Sequence, residues 1–404
     1  MLTGGGVLLL SLTWLSAMQD DVLHLPVGDP GRKGQRSTVV LDAIIETSTG
    51  ELLTPRGLAL RLSDSNLVLV GESHTNPEFH RVQRTLIDEI SKTGRHVLIG
   101  LEMFPCTEQS YLDDWVNGLL TEQGFVKLSN WYRHWGYNWN YYRDIFLLAR
   151  ERQLPLFAIN TPRSVVAAVR KKGFENLTEE EVAHLPAEVD TASPDHLRLF
   201  RAFFSDKDSF HASLGEEQWR LMFEAQCTWD ATMAFNAVRQ LQGLEDEKAI
   251  MIVLAGLGHV AYGLGIQRQA AHWFKGKMVS VIPVSVKGEE GEQVESTQSS
   301  YADFIWGLPP VEYPPFPELG LSASPEVQPP QVKVIFVQEE SVAEAAGFQV
   351  GDILVSMDGI PITDRSVVNR LVAGKRWGDS AGMVVRRGEA EITLEIYFRR
   401  PSNH

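Results

Sequence analysis

Four apolar runs that each lead into a polar side chain constrain the fold of this chain most. They are residues 67–70 before His74, 97–101 before Glu102, 155–159 before Asn160 and 250–255 before His259. Continuous runs rich in Val, Ile and Leu are typical of strands buried on both faces, as in parallel sheets. Amphipathic stretches separate the runs, residues 174–248 read as mostly helical, and 278–286 read as a last strand. The sequence therefore predicts an α/β domain over residues 38–290, a mainly parallel β-sheet flanked by helices with a helical insert.

The polar residues at the ends of the four runs form one candidate site. Ligands of parallel sheets bind outside the carboxyl ends of the strands, so these side chains are expected to converge there. Both histidines end a Gly-x-x-His sequence. We expect the glycine of each to let the backbone turn sharply and approach a ligand. Two histidines with a purely structural role fit the same sequence.

The composition of the chain limits its partners and its location. A net charge of −15 over 404 residues disfavours nucleic acid as a partner, since phosphate binding depends on patches of Lys and Arg. Residues 1–17 are apolar and end in small residues, which predicts a signal peptide and a periplasmic or secreted protein, with membrane association left open. The two cysteines, Cys106 and Cys227, fit either buried thiols or a disulfide.

A second domain follows a proline-rich linker at residues 308–318. Its sequence SVAEAAGFQVGDIL, at 341–354, closely resembles a bacterial PDZ domain, and the resemblance extends over residues 313–400. It implies a small β-rich α+β domain that adds a peptide from a protein partner to a sheet edge and catches the terminal carboxylate in a backbone loop. By position this loop is Leu319-Gly320-Leu321. A proline-rich insertion, Pro325–Pro330, departs from the usual short form.

Five separated motifs of the large domain resemble the ChaN family of haem-binding uptake proteins, in the Tiki and erythromycin-esterase-like superfamily. They are VGESH at 70–74 with NP at 76–77, LEMF at 101–104, NTPR at 160–163, DATMA at 230–234 and GLGH at 256–259. The resemblance implies haem as cofactor and a role in haem or iron uptake. Such haem binders can need a second subunit to enclose the ligand, so a homodimer is one expectation.

The candidate site fits more than one chemistry. In a haem site, imidazole would ligate the iron and Arg163 would pair with a propionate. The predicted haem contacts are His74, Glu102, Asn160, Arg163 and His259. In a metal site, His74, Glu102 and His259 would hold a divalent ion such as zinc or manganese.

The metal site belongs to an alternative function, a metal-dependent hydrolase that acts as a peptidase or an esterase. Glu72 would then move protons, and His74 would be catalytic as well as a ligand. The PDZ domain suits a peptidase, because such domains often present peptides to attached proteases. A third hypothesis is a scaffold without activity, in which the PDZ domain carries the function.

An aromatic segment at residues 131–143 is the other unusual part of the chain. Trp131, Trp135 and Trp139 recur every four residues, which predicts one face of a helix. Such a stripe is typical of a buried core, although a flat aromatic surface also suits a porphyrin. In the second interpretation, His134 and the tyrosines are candidate axial ligands.

Overall fold

The computed structural model describes residues 22–204, 215–286, 294–327 and 330–400. The predicted signal peptide at residues 1–17 lies outside these ranges. Contacts divide the described chain into two units. The large unit contains the described residues of 22–129 and 142–311, and the small unit contains those of 130–141 and 312–400.

The secondary structure alternates strands and helices in the large unit and is mainly β in the small one. The strands are β1 (Arg36–Val40), β2 (Ile44–Glu46), β3 (Leu52–Leu53), β4 (Leu67–Glu72), β5 (His96–Pro105), β6 (Leu156–Asn160), β7 (Ala249–Gly256), β8 (Met278–Ser285), β9 (Val294–Gln298), β10 (Phe304–Leu308), β11 (Leu321–Val327), β12 (Pro330–Val337), β13 (Ile353–Met357), β14 (Ile360–Pro361), β15 (Ser380–Arg387) and β16 (Ala390–Tyr397). The α-helices are α1 (Pro55–Arg61), α2 (Pro77–Ser91), α3 (Gln109–Val116), α4 (Glu122–Leu128), α5 (Trp131–His134), α6 (Arg143–Glu151), α7 (Arg163–Lys172), α8 (Glu179–Val182), α9 (Pro194–Ala202), α10 (Glu216–Gln242), α11 (Leu257–Val260), α12 (Ile266–Ala270), α13 (Val342–Ala345) and α14 (Arg365–Ala373).

An eight-stranded sheet with the order β3-β2-β10-β8-β4-β7-β5-β6 forms the centre of the large unit. From β10 to β6 all neighbours are parallel, whereas β2 and β3 extend one edge in antiparallel fashion. Every residue of β4 and β7 is buried. Burial on both faces explains why these strands read as unbroken apolar runs. The predicted α/β class is confirmed.

Helices of the large unit begin where the sequence supplies caps. At α2 the side chain of Asn76 accepts the backbone N–H of Glu78, and Pro77 occupies the first turn. The 27-residue α10 is the main element of the predicted helical insert, and its Met233 is fully buried in the core against the sheet. Within the described residues, no helix is long and apolar enough to cross a membrane.

The sheet continues past β8, which the sequence predicts as its last strand. Strand β10 pairs with β8 in parallel, with Ile305 opposite Ile282, and all five of its residues are buried. Between the two, β9 pairs with β1 in a separate two-stranded sheet. Five residues that include Gly307 give too short a periodic signal for the sequence alone to predict β10.

Arg95 links its own segment to two others by hydrogen bonds at the amino-terminal edge of the sheet. Its guanidinium donates to the carbonyls of Ser63 at 2.5 Å, Ser65 at 2.7 Å and Ala249 at 2.8 Å, and its Nε donates to Lys248 at 2.7 Å. A half-buried arginine that satisfies several carbonyls stabilises the loops that carry them.

We expect Arg95→Met to lower the free energy of unfolding by about 2 kcal/mol, because the alkyl chain remains while the carbonyls lose a charged donor. Urea denaturation followed by circular dichroism measures the change. Arg84→Met, at an exposed position on α2, is the matched control and should leave the midpoint nearly unchanged. Equal midpoints for both variants would contradict the role of Arg95.

The small unit contains the predicted second domain, with a sheet of order β11-β12-β13-β15-β16 and β14 paired to β13. Its α13 begins at Ser341, whose side chain accepts the N–H of Glu344, and α14 begins at Asp364, which caps Ser366. The predicted proline-rich insertion is instead part of a hairpin: Pro325 lies in β11 opposite Val332 of β12. Residues 328–329 lie outside the described ranges.

The aromatic segment is not the single helix that the tryptophan spacing predicts. Helix α5 covers only Trp131–His134, and Gly136 has a φ of +90°, a left-handed conformation that ends the turn. A short 3-10 turn then holds Trp139. Trp131 and Trp139 nevertheless pack edge to face at 5.0 Å, and both are buried, in agreement with the core interpretation.

Candidate functional site

The carboxyl ends of four neighbouring strands bring the predicted site residues to one edge of the sheet. Strands β4, β7, β5 and β6 are consecutive in the sheet, although β7 lies far from the others in sequence. His74 follows β4, Glu102 lies in β5, Asn160 ends β6, and His259 lies in α11 directly after β7. The two Gly-x-x-His sequences therefore face each other across the β4–β7 pair.

His74 is held by a buried carboxylate. Its Nδ1 donates to Oε1 of Glu72 at 2.8 Å. Glu72 is 1% exposed and also accepts the Tyr142 hydroxyl at 2.5 Å and the Gln83 amide at 2.7 Å. The imidazole itself remains 27% exposed at its side chain. A histidine ring oriented through Nδ1 by a carboxylate is the usual arrangement behind a metal-bound imidazole.

The charge of Glu72 is fixed by its surroundings. Burial alone would raise the pKa of this carboxyl, but the imidazoles of His80 and His74 outweigh burial and lower the pKa to about 2. A carboxylate with so low a pKa is a weak proton acceptor at neutral pH. The arrangement suits an orienting role for Glu72 better than the proton transfer expected of it in a hydrolase.

His259 lies between two carboxylates. Its Nδ1 donates to Oδ1 of Asp230 at 2.6 Å, and its Nε2 lies 3.3 Å from Oε1 of Glu102. Burial opposes the charged form, but Glu102 and Asp230 outweigh burial and raise the pKa of His259 to about 10. The two carboxylates therefore favour the imidazolium form of the ring at neutral pH.

Asp230 connects this pair to a second buried histidine. Its Oδ2 lies 3.5 Å from Nε2 of His196, whose burial lowers its pKa to about 4. Cys227 lies beside the same ring, with its Sγ 3.8 Å from Nδ1 of His196. Both Cys106 and Cys227 are free thiols. The DATMA motif thus supplies the charge that holds His259 in place.

Glu102 and Asn160 interact through the backbone. Glu102 accepts the Gly256 N–H at 2.7 Å, and the Asn160 side-chain amide donates to the Glu102 carbonyl at 2.8 Å. Burial raises the pKa of Glu102, but His259 outweighs burial and lowers it overall. Asn160 therefore positions the β5 backbone, and Glu102 is engaged with its neighbours.

The sequence predicts that the two glycines of the repeated motif let the backbone turn sharply, but the structure gives them other roles. Gly256 has an ordinary φ of −58°, but a Cβ there would lie 2.9 Å from Cε1 of His74, so the missing side chain makes room for the ring. A Cβ at Gly71 would lie 3.1 Å from Leu257 and 3.2 Å from Ile282, both apolar. Only Gly256 shapes the site.

The remaining predicted ligands lie on α7 and in the aromatic segment. Arg163 is exposed in the first turn of α7. His134 and the buried tryptophans belong to the small unit. Of the tyrosines in the aromatic segment, Tyr142 belongs to the large unit and reaches the site indirectly, through Glu72.

Some residues of the site carry no motif in the sequence. His80 and Gln83 lie on the buried face of α2, and His80 donates from Nε2 to the carbonyl of His74 at 3.1 Å. Polar side chains at three-residue spacing on an otherwise apolar helical face are a signal that could have indicated them.

Comparison with known proteins identifies the large unit. A family model described as haem-binding uptake, Tiki superfamily, ChaN, matches residues 58–269, more than half of the chain. The chain belongs to this ChaN family. A PDZ-domain model matches residues 317–397. No curated protein matches the chain in sequence.

Solved structures similar to this ChaN-family chain cover very different shares of it. One, titled "Cofacial heme binding to ChaN of Campylobacter jejuni", is 19% identical over 65% of this chain and 95% of that chain, with a TM-score of 0.49. A serine endoprotease from Yersinia pestis is 28% identical over 17% of this chain and 25% of its own, with a TM-score of 0.17. An aminopeptidase N family protein from Idiomarina loihiensis is 25% identical over 23% and 15%, with a TM-score of 0.20.

At the edge of this ChaN-family sheet, His74 is the partly exposed imidazole. Among the described residues, no group of three or more His, Cys, Asp or Glu side chains is arranged to hold a metal. In the structure, the three predicted metal ligands His74, Glu102 and His259 bond to Glu72, Gly256 and Asp230, respectively. A single partly exposed imidazole, His74, needs no such group to ligate a porphyrin iron.

Proposed function

We propose that the chain binds haem at the edge of its sheet, with His74 as the residue that ligates the iron. The observation that carries the proposal is the bond from Nδ1 of His74 to the buried Glu72. This bond fixes the plane of a partly exposed ring and increases the basicity of its other nitrogen. Membership of a haem-binding family supports the same cofactor.

The chain's own residues would hold and orient the cofactor. When bound, haem supplies an iron centre that accepts an imidazole ligand. Glu72 orients His74, Tyr142 and Gln83 hold Glu72, and the absent side chain of Gly256 leaves space for the ring. Glu102, Asn160 and His259 form the rigid floor beside it rather than a second ligand set.

We further propose a role in haem or iron uptake outside the cytoplasm, in the periplasm or as a secreted or membrane-associated protein. The apolar segment at residues 1–17 supports export. The PDZ domain would bind the end of a partner protein and so bring the haem-binding unit to it. A second copy of the chain would enclose the cofactor.

Titration with haemin tests the proposal. We expect the wild-type protein to shift the Soret band and His74→Ala to abolish the shift, since the variant lacks the ligand. His96→Ala is the matched control, because the His96 side chain is 64% exposed and lies at the opposite end of β5. Sedimentation with and without haemin reports whether the loaded form is a dimer.

Two results would count against haem as the cofactor. The first is an equal Soret shift in His74→Ala and wild type. The second is no shift at all, together with stoichiometric zinc or manganese by elemental analysis of the purified protein. That second result would instead favour the metal-dependent hydrolase.

A further inference from the structure

The PDZ domain has a groove between the edge strand β11 and helix α14. Strand β11 lies at the end of the sheet order, so its outer edge is available for an added strand. The predicted carboxylate loop precedes it, and Gly320 in that loop has a φ of +72°, with Ser341 2.4 Å from where a Cβ would stand. Only glycine fits this left-handed position, which turns the backbone at the end of the groove.

Residues outside the PDZ fold also line this groove. The segment 130–141 belongs to the same compact unit, and its Asn138 donates from Nδ2 to the carbonyl of Ala373, at the end of α14, at 3.1 Å. Asn369 of α14 donates back to the carbonyl of Tyr132 at 3.3 Å. Gly136 comes so close that a Cβ there would lie 2.8 Å from Nδ2 of Asn369.

The segment reaches the other side of the groove as well. Tyr141 packs edge to face against Phe316 at 5.0 Å, just before the carboxylate loop. The segment is braced internally, because Trp131 donates from Nε1 to the carbonyl of Tyr137 at 2.8 Å and packs on Trp139. It therefore contacts α14 as well as the residues just before the carboxylate loop.

Segment and groove together leave a cavity of about 120 Å³. Its walls include Leu319, Leu354, Val368 and Val372 from the PDZ fold and Tyr137 and Tyr141 from the segment. An engineered apolar cavity of about 150 Å³ holds benzene, so this space suits one apolar side chain rather than a whole peptide.

The same cavity is lined by one basic side chain, that of Arg365, and by the carboxyl of Glu318, whose burial raises its pKa to about 7 and so favours its neutral form at neutral pH or below. Arg365, the first residue of α14, lines the cavity and is half-buried, and burial lowers its pKa. Asp364 beside it caps Ser366, and no carboxylate among the described residues forms a salt bridge with Arg365. From Arg365 to Ala373 the helix spans about 12 Å, which equals three to four residues of an extended strand.

We propose that residues 130–141 form a third wall of the PDZ groove, and that this three-walled groove binds a peptide end with an apolar terminal side chain and an acidic side chain three to four residues upstream. The terminal side chain fills the cavity beneath Tyr141, and the acidic group pairs with Arg365. The inference rests on the peptide binding proposed above for the PDZ domain.

Peptide affinities, measured by fluorescence polarisation with the full chain, test whether residues 130–141 form the third wall. The probes are labelled heptapeptides with a free terminal valine and a glutamate three or four residues upstream, alongside versions with glutamine at that position, with terminal tryptophan, and with an amidated end. We expect the free-valine glutamate peptides to bind best. Tyr141→Ala should weaken them at least tenfold, whereas Tyr397→Ala, an exposed tyrosine on β16, should change affinity less than twofold.

Arg365→Gln tests the acidic preference. We expect it to weaken the glutamate peptides to the affinity of the glutamine versions and to leave the glutamine versions unchanged. Equal discrimination in wild type and variant would overturn the assignment of Arg365.

Hydrogen exchange on the wild-type protein gives a measurement that does not depend on how the variants fold. On adding the free-valine peptide, we expect amides of 130–141 to become protected together with those of β11 and α14. Faster exchange in 130–141, or tighter binding by Tyr141→Ala, would mean that the segment is a plug to be displaced, and would overturn the proposal. If no free-ended peptide binds the wild type, the peptide-binding function itself fails; if peptides bind but Tyr141→Ala has no effect, only the third wall fails.

Discussion

Replacing Asp230 by alanine is expected to lower the free energy of unfolding by about 3 to 5 kcal/mol at pH 7. Asp230 is fully buried and accepts from Nδ1 of His259 at 2.6 Å. Without it, the His259 imidazolium keeps only Glu102 as a charged partner in a buried setting. Urea denaturation measures the loss. Asp246→Ala is the matched control, because Asp246 pairs with the exposed His96 and should matter far less.

The same pair predicts how stability changes with pH. The folded-state pKa of His259 is raised to about 10 from an ordinary value of 6.5. The stabilisation is therefore complete below pH 6.5 and is lost as the pH rises towards 10, because the unfolded state releases the proton first. Between pH 7 and 8.5 we expect a decline of up to about 1.4 kcal/mol per pH unit.

His259→Gln isolates this contribution, since the variant has no proton to lose there. We expect its unfolding free energy to vary less with pH than that of wild type over pH 7 to 8.5. Equal destabilisation by Asp230→Ala and Asp246→Ala, or parallel pH profiles for wild type and His259→Gln, would show that His259 is not held as an imidazolium.

Gly256→Ala is expected to damage the haem site more than the fold. Its Cβ would lie 2.9 Å from Cε1 and 3.2 Å from Nε2 of His74, so the ring must move from its bond with Glu72. We expect haemin affinity to fall by at least about tenfold, equivalent to 1.4 kcal/mol or more. Titration of the Soret band measures the change.

Gly71→Ala is the matched control in the other copy of the motif. There the Cβ meets Leu257 and Ile282, and we expect overpacking to lower stability by about 1 to 3 kcal/mol while haemin affinity stays near wild type. The reverse pattern, with haemin lost in Gly71→Ala and kept in Gly256→Ala, would remove His74 from the site.

The sheet and its functional edge could be predicted because their signals are local. Unbroken apolar runs such as Leu67–Val70 indicate strands buried on both faces, and the rule for parallel sheets then places their polar ends together. The order of the strands was not needed for that prediction. The family motifs lie on these same ends, so resemblance and physical pattern agreed.

The roles of individual side chains could not be predicted, because they depend on partners distant in sequence. Glu72 accepts the hydroxyl of Tyr142, seventy positions away, and this contact helps to fix its carboxylate. His259 is one of the predicted metal ligands, and no pattern in the sequence indicates that Asp230 of α10 accepts its Nδ1–H and favours its charged form. A residue type and a spacing do not determine a protonation state.

The tertiary contacts of the aromatic segment could not be predicted from its sequence either. Its four-residue tryptophan spacing predicted a helical face, but Gly136 adopts a left-handed conformation that interrupts it. Its place in the small unit rests on contacts such as that of Asn138 with Ala373, 235 positions away. No local pattern carries that information.

Because β7 lies between β4 and β5, the centre of the sheet can form only late in the synthesis of this protein. Strands β4 and β5 emerge early from the ribosome, but the strand that joins them ends only at Gly256, about 150 residues after Pro105. At ordinary elongation rates this delay lasts roughly 10 to 30 s. During that time β6 can pair with one edge of β5, but the edges of β4 and β5 that await β7 stay open, and such edges are the surface that holdase chaperones bind.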